Sequence, residues 1–147
     1  MQRRNFIKQI CRASIVCAAP PSIISLQSCS DNTTPIDENI NEITIDLENS
    51  QYKKLNIVGQ SVVTGSIDFD RSGLLLFRKS QLELLAYSRS CPHAGTSINN
   101  FLNGTAVCPN HGAKFKTNGT PVPGGPTNAS LKQYIVDLDD STATIFK

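Results

Sequence analysis

From residue 42 onward the apolar residues come in short runs, each either alternating with polar residues or rich in β-branched side chains, and each ending at turn-forming residues. Alternation with a period of two over four to eight residues marks a strand with one buried face. Ile43-Thr44-Ile45-Asp46-Leu47 alternates in this way, and two further predicted strands, Leu55 to Val58 and Ser61 to Thr64, flank Gly59-Gln60. Leu74 to Arg78 and Leu82 to Tyr87 flank Lys79-Ser80-Gln81 and predict a hairpin. Tyr134 to Leu138 and Thr142 to Phe146 flank Asp139-Asp140-Ser141 and predict a second. No segment carries a 3.6-residue apolar stripe of helical length. The expected fold over residues 43–147 is therefore all-β, an antiparallel barrel or sandwich of short strands. There is no internal repeat and no glycine fingerprint for a nucleotide.

Between the two hairpins the pattern breaks down. Residues 88–132 are crowded with Gly, Pro, Asn and Ser, and their apolar content is thin. A loop region this long in a small domain is usually functional, and with so little apolar surface something other than a hydrophobic core must order it, as ligand bonds to a metal would. Both histidines of the chain and two of its five cysteines lie here, as Cys91-Pro92-His93 and Cys108-Pro109-Asn110-His111, fourteen residues apart. Pro92 and Pro109 fix the backbone just after each cysteine, and Gly95 and Gly112 follow each histidine where the chain must turn sharply. Two Cys and two His permit tetrahedral zinc or an iron-sulfur cluster. A single disulfide is the third possibility, one that leaves two matched histidines unexplained.

Charge and the N-terminus change the picture further. Arg3, Arg4, Lys8 and Arg12 fall in the first twelve residues without an acid among them, whereas from residue 29 on ten Lys or Arg face twelve Asp or Glu, a net of −2. Without a basic stripe interleaved with aromatics, nucleic acid is not an expected partner. The positive start, apolar middle and small-residue end of residues 1–28 read as an export signal, and Arg12 and Pro20-Pro21 cut the apolar run short of a membrane span. Arg3-Arg4-Asn5-Phe6-Ile7-Lys8 resembles the twin-arginine pattern, and Leu26-Gln27-Ser28-Cys29 resembles a bacterial lipobox. Cleavage before Cys29 would make it a lipidated N-terminus, with residues 29–42 as a polar tether to a domain held at a lipid bilayer outside the cytoplasm. A general export signal and an unlipidated or uncleaved anchor are the competing readings. The twelve residues 30–41 of the tether would span roughly 20 Å as a random coil and about 40 Å at full stretch. Cys11 and Cys17 would leave with the signal, so Cys91 and Cys108 would be the only thiols of the folded domain.

The ligand order, C-x-H, a loop, then C-x-x-H, resembles that of a Rieske [2Fe-2S] domain, in which two cysteines hold one iron and two histidines the other. The resemblance runs from about residue 57 to the end, through Gly112, Phe115, Asn118-Gly119, Gly124-Gly125-Pro126 and Leu131 to Tyr134. It implies a small cluster-binding subdomain formed by two loops, with Cys91 and Cys108 on a buried iron and His93 and His111 on an outer one. The function implied is one-electron exchange with redox protein partners, either as an exported, membrane-anchored carrier or as the iron-sulfur subunit of a larger oxidoreductase. No substrate pocket and no catalytic residue are expected, since both histidines are committed. Quinol-oxidising members of the family carry an extra cysteine in each loop, bridged as a disulfide, where this chain has Thr96 and Asn110. They also carry Ser and Tyr donors to sulfur where this chain has Ala113 and Phe115. That substitution implies a potential towards the low end of roughly −150 to +300 mV.

Overall fold

The computed structural model of the protein describes residues 41–147. The export signal, Cys29 and all but the last two residues of the tether lie outside the described residues. Among the described residues eight strands form, with every pairing antiparallel: β1 (Glu42–Asp46), β2 (Ser61–Val63), β3 (Leu74–Ser80), β4 (Glu83–Ser88), β5 (Thr105–Val107), β6 (Lys114–Lys116), β7 (Gln133–Asp139) and β8 (Thr142–Phe146). Six of them make one sheet in the order β1-β8-β7-β4-β3-β2, and β5 and β6 pair separately. The sheet curls at β7, whose first two residues, Gln133 and Tyr134, pair with β4 while Ile135 to Asp139 pair with β8. Both predicted hairpins are present, with two-residue connections Gln81-Leu82 and Asp140-Ser141 inside the closing pairs Ser80↔Glu83 and Asp139↔Thr142. The all-β expectation holds.

One predicted strand does not form. Lys53–Asn56 is a 3-10 turn, so Leu55 to Val58 forms no strand, although Ile57 itself is extended. The turn starts where the Asn49 carbonyl accepts both Tyr52 N–H and Lys53 N–H. Leu55 is fully buried, but Ile57 and Val58 are 61% and 42% exposed, so the apolar run has a single anchor and not a buried face.

Inside the curl, Ile45 of β1, Leu74 and Leu76 of β3, Leu84 and Ala86 of β4, Tyr134 of β7 and Ile145 of β8 pack with Leu47, Leu55 and Phe69. Phe69 meets the Tyr134 ring edge-on at 4.9 Å, and the Tyr134 hydroxyl donates to Asp70 Oδ2 at 2.8 Å. The intervening residues of β3 and β4 face the other way. Leu75 and Tyr87, with Phe77 and Leu85, carry a second core made of Cys91, Ile98, Phe101, Ala106, Cys108, Ala113, Phe115 and Leu131. Strands buried on both faces read as continuous apolar runs without alternation, which is the pattern of Leu74-Leu75-Leu76-Phe77. The expectation that ligand bonds must order residues 88–132 was therefore too narrow. Each fully buried Leu, Ile or Phe contributes roughly 2 kcal/mol of transfer free energy, and this second core gives the segment packing of its own.

Gly73, the residue before β3, controls how that double-faced pair begins. Its φ is +82°, and a Cβ placed there would lie 2.5 Å from the Thr64 carbonyl oxygen and closer still to that of Gly65. Both obstacles are backbone, so neither can rotate away. Gly73→Ala is expected to lower stability by at least about 2 kcal/mol, combining left-handed strain with the overlap. Denaturant unfolding of the two proteins checks this, and an unchanged midpoint would show that the Thr64–Gly65 strand end yields freely.

Candidate metal centre

Two loops with the same internal hydrogen bonds present the candidate ligands. In the first, which leaves β4, Cys91 N–H donates to the Thr96 carbonyl at 3.0 Å and Gly95 N–H donates to the Cys91 carbonyl at 2.7 Å. In the second, the connection between β5 and β6, Cys108 N–H donates to the Ala113 carbonyl at 2.8 Å and Gly112 N–H to the Cys108 carbonyl at 3.1 Å. Gly95 and Gly112 thus stand at the same place, four residues after the cysteine, and their φ values are +71° and +70°. The histidines are at different offsets in two copies of one turn. Counting glycines from the cysteines, and not from the histidines, would have revealed this in the sequence.

Each loop has its own mount. The second is closed by the pairs Val107↔Lys114, Ala106↔Phe115 and Thr105↔Lys116. The first is held by Arg89, which the sequence reading did not single out. Its Nε donates to the Ile98 carbonyl at 2.8 Å, a terminal guanidinium N–H donates to the Thr64 carbonyl, and its own N–H donates to Gly73 O at 2.9 Å. One residue therefore joins three places, its side chain linking the end of β2 to the far side of the first loop and its backbone N–H tying in the residue before β3. An arginine two residues before a ligand in a charge-free stretch was the available signal. Further support comes from Tyr87, whose ring lies where a Gly119 Cβ would sit and whose hydroxyl donates to the Thr117 carbonyl at 3.0 Å. Burial, with the Glu83 carboxylate adding to it, pushes the Tyr87 phenol up to about 12, so it stays a neutral donor. The turn expected at Asn118-Gly119 is present, with Gly119 N–H donating to the Lys116 carbonyl at 2.8 Å.

The four donors are sorted by type. Cys91 and Cys108 are each 1% exposed, unbridged, and within hydrogen-bonding reach of one another. His93 and His111 are exposed, with their Nδ1 atoms 3.2 Å apart and their rings edge-to-face at a centroid distance of 4.8 Å. Burial pushes the Cys91 thiol up, N–H groups of His93 and Ala94 aimed at its sulfur oppose this, and Cys108 reinforces it. Among the described residues no three His, Cys, Asp or Glu side chains gather closely enough to hold one ion. A soft pair inside and an imidazole pair outside suit a two-iron cluster whose irons take two protein ligands each, and suit a single tetrahedral ion less well. A cleft of 580 Å³ lies beside Lys54, Gln60, Ser61, Phe77 and Phe101, and none of the four donors lines it.

The sequence profile of the Rieske [2Fe-2S] domain matches residues 43–135. The chain belongs to this family. One [2Fe-2S] cluster goes with a Rieske domain, and electron transfer is its work. Over 54 residues the chain is 49% identical to a Haloferax mediterranei protein named "Putative respiratory nitrate reductase subunit Rieske". That match takes in 36% of this chain and only 24% of the relative, so the chain spans about a quarter of the curated relative's length. The fold is similar to that of the cyanobacterial plasma membrane Rieske protein PetC3 from Synechocystis PCC 6803, with a TM-score of 0.55 at 19% identity over 71% of this chain and 99% of that one. It is also similar to part of the quaternary ammonium Rieske monooxygenase CntA, with a TM-score of 0.55 at 17% identity over 72% of this chain and 32% of that one. These two likenesses concern the fold alone.

Proposed function

We propose that Cys91 and Cys108 bind the inner iron of the Rieske cluster, that His93 and His111 bind the outer iron through Nδ1, and that the protein is an exported one-electron carrier anchored by a lipid on Cys29. The observation that carries the ligand assignment is the segregation of donors, with buried thiols on one side and exposed imidazoles converging at 3.2 Å on the other. When bound, the cluster supplies a one-electron redox couple. The chain's own residues exclude water from the sulfurs, hold the two loops in register through Arg89 and the β5–β6 pair, and leave the histidine edges at the surface as the route for the electron.

The lipobox-like Leu26-Gln27-Ser28-Cys29 and the twin-arginine-like start support export and anchoring. Cys29→Ser tests the anchor: the variant should keep its cluster yet appear in the soluble fraction, and retention in washed membranes would overturn lipid anchoring at this residue. A second reading, a subunit of a larger oxidoreductase, is favoured by the name of the Haloferax relative. Purification from detergent-solubilised membranes separates the two. A partner in fixed stoichiometry supports the subunit, and recovery of the chain alone supports the carrier.

A further inference from the structure

The distribution of charge around the histidines is one-sided. Between Glu83 and Asp137 the chain contains no Asp or Glu, and its only charged residues there are Arg89, Lys114, Lys116 and Lys132. These residues include both ligand loops and all of the second core except its β3 members. Arg89 is used internally, and the Lys132 ammonium lies 5.0 Å above the Tyr134 ring. Lys114 and Lys116 are left, both exposed on either side of buried Phe115 and therefore on one face of β6, three and five residues beyond His111. No carboxylate of this lobe is available to neutralise them.

The acids lie elsewhere. Asp46 and Asp139 both pair across to Thr142, which brings the end of β1 and the β7–β8 turn, with Asp140, to one place. β7 begins beside Tyr87, near the ligand loops, and runs seven residues to that turn, roughly 20 Å at strand rise. Lys114 and Lys116 thus stand apart from the carboxylates of that turn, and the acid nearest the first ligand loop is Asp70, which holds Ser72, the partner of Ser97. From Ser90 to Ala113 the histidine end has no Asp, Glu, Lys or Arg, so covering it with a partner desolvates none of these side chains. An uncharged centre with lysines at its rim is the arrangement in which charge sets orientation and encounter rate while the centre makes the contact.

We propose that the histidine end docks on a redox protein whose electron-exchange surface carries carboxylates, with Lys114 and Lys116 steering the approach and the acidic β7–β8 turn directed away. The proposal rests on the ligand assignment above. It is tested on the full holoprotein with two small oxidants of opposite charge. Ferricyanide, a trianion, takes one electron from the reduced protein and becomes ferrocyanide; hexaammineruthenium(III), a trication, takes one electron and becomes the ruthenium(II) complex. No atom is exchanged in either reaction. Raising ionic strength from 10 mM to 1 M shortens the screening length from about 30 Å to about 3 Å. Over that range the ferricyanide rate should fall and the ruthenium rate should rise, each about threefold or more, and K114E/K116E should lower the low-salt ferricyanide rate about tenfold and reverse both trends.

A second readout involves no electron transfer. The redox-inert trianion hexacyanochromate(III) should broaden amide NMR signals around Lys114 and Lys116 and spare the Asp139-Asp140 turn, with the reverse for hexaamminechromium(III). Flat or opposite salt trends in a protein with an intact cluster, or uniform broadening, overturn the docking proposal alone. Absence of an iron-sulfur chromophore overturns the ligand assignment, and the docking proposal falls with it.

Discussion

Cys108→Ala is expected to abolish cluster binding while leaving the six-stranded sheet folded. The purified variant should lose both irons, the acid-labile sulfide, the visible absorption and the paramagnetic signal on reduction, and His111→Ala should do the same. Removing one of two protein ligands leaves an iron without a substitute, because between Glu83 and Asp137 the chain has no Cys or His beyond these four and no Asp or Glu. The sheet should survive because its inner core contains neither ligand loop. The second core should loosen without dispersing, since Leu75, Tyr87, Ile98, Phe101 and Phe115 pack together through contacts that do not involve the cysteines alone. Iron and sulfide analysis together with far-ultraviolet circular dichroism reads both halves of the prediction. Wild-type iron and sulfide in the Cys108→Ala protein would remove Cys108 from the ligand set. One zinc per wild-type chain without sulfide would replace the cluster by a single-ion site.

The parts of this structure that could be read from the sequence were those governed by one local rule. β1, β7 and β8 alternate because one face of each is buried, and each of the two hairpin turns falls at polar residues between two apolar runs. The four candidate donors stood out in the sequence because thiol and imidazole have few reasons to recur in pairs, and the structure brings them together in two matched loops. What escaped were features set by tertiary context. Leu55 to Val58 has strand-like composition, but only Leu55 reaches the core, and the Asn49 carbonyl starts a 3-10 turn instead. The second core escaped because its residues, Ile98, Phe101, Ala106 and Phe115, are spaced singly through a polar segment and meet only when β3 and β4 offer them a second apolar face. Arg89 escaped because a guanidinium that satisfies carbonyls from Thr64 and Ile98 carries no pattern along the chain.

The reduction potential of the cluster should lie in the lower part of the family's span of roughly −150 to +300 mV, and a value above about +200 mV would contradict this. The reason lies in two fully buried side chains, Ala113 and Phe115, which adjoin Cys108 in the second core and offer no donor. A hydroxyl donating to sulfur stabilises the reduced, more negative state more than the oxidised one, and its absence leaves that state higher in free energy. Restoring donors as Ala113→Ser and Phe115→Tyr should therefore raise the potential. A differential stabilisation of about 1.4 kcal/mol corresponds to about 59 mV for one electron, so each change should add tens of millivolts. Should the new hydroxyl fail to reach sulfur, the potential would stay put and stability would fall by about 1–3 kcal/mol for a buried unpaired group, which denaturant unfolding would reveal. The lobe's lysines act in the same direction but more weakly. A unit charge at ~10 Å through water contributes only about 0.4 kcal/mol, and salt screens it. Potentiometry repeated at high ionic strength therefore separates the two causes, because the hydroxyl increment persists in salt and the lysine increment does not.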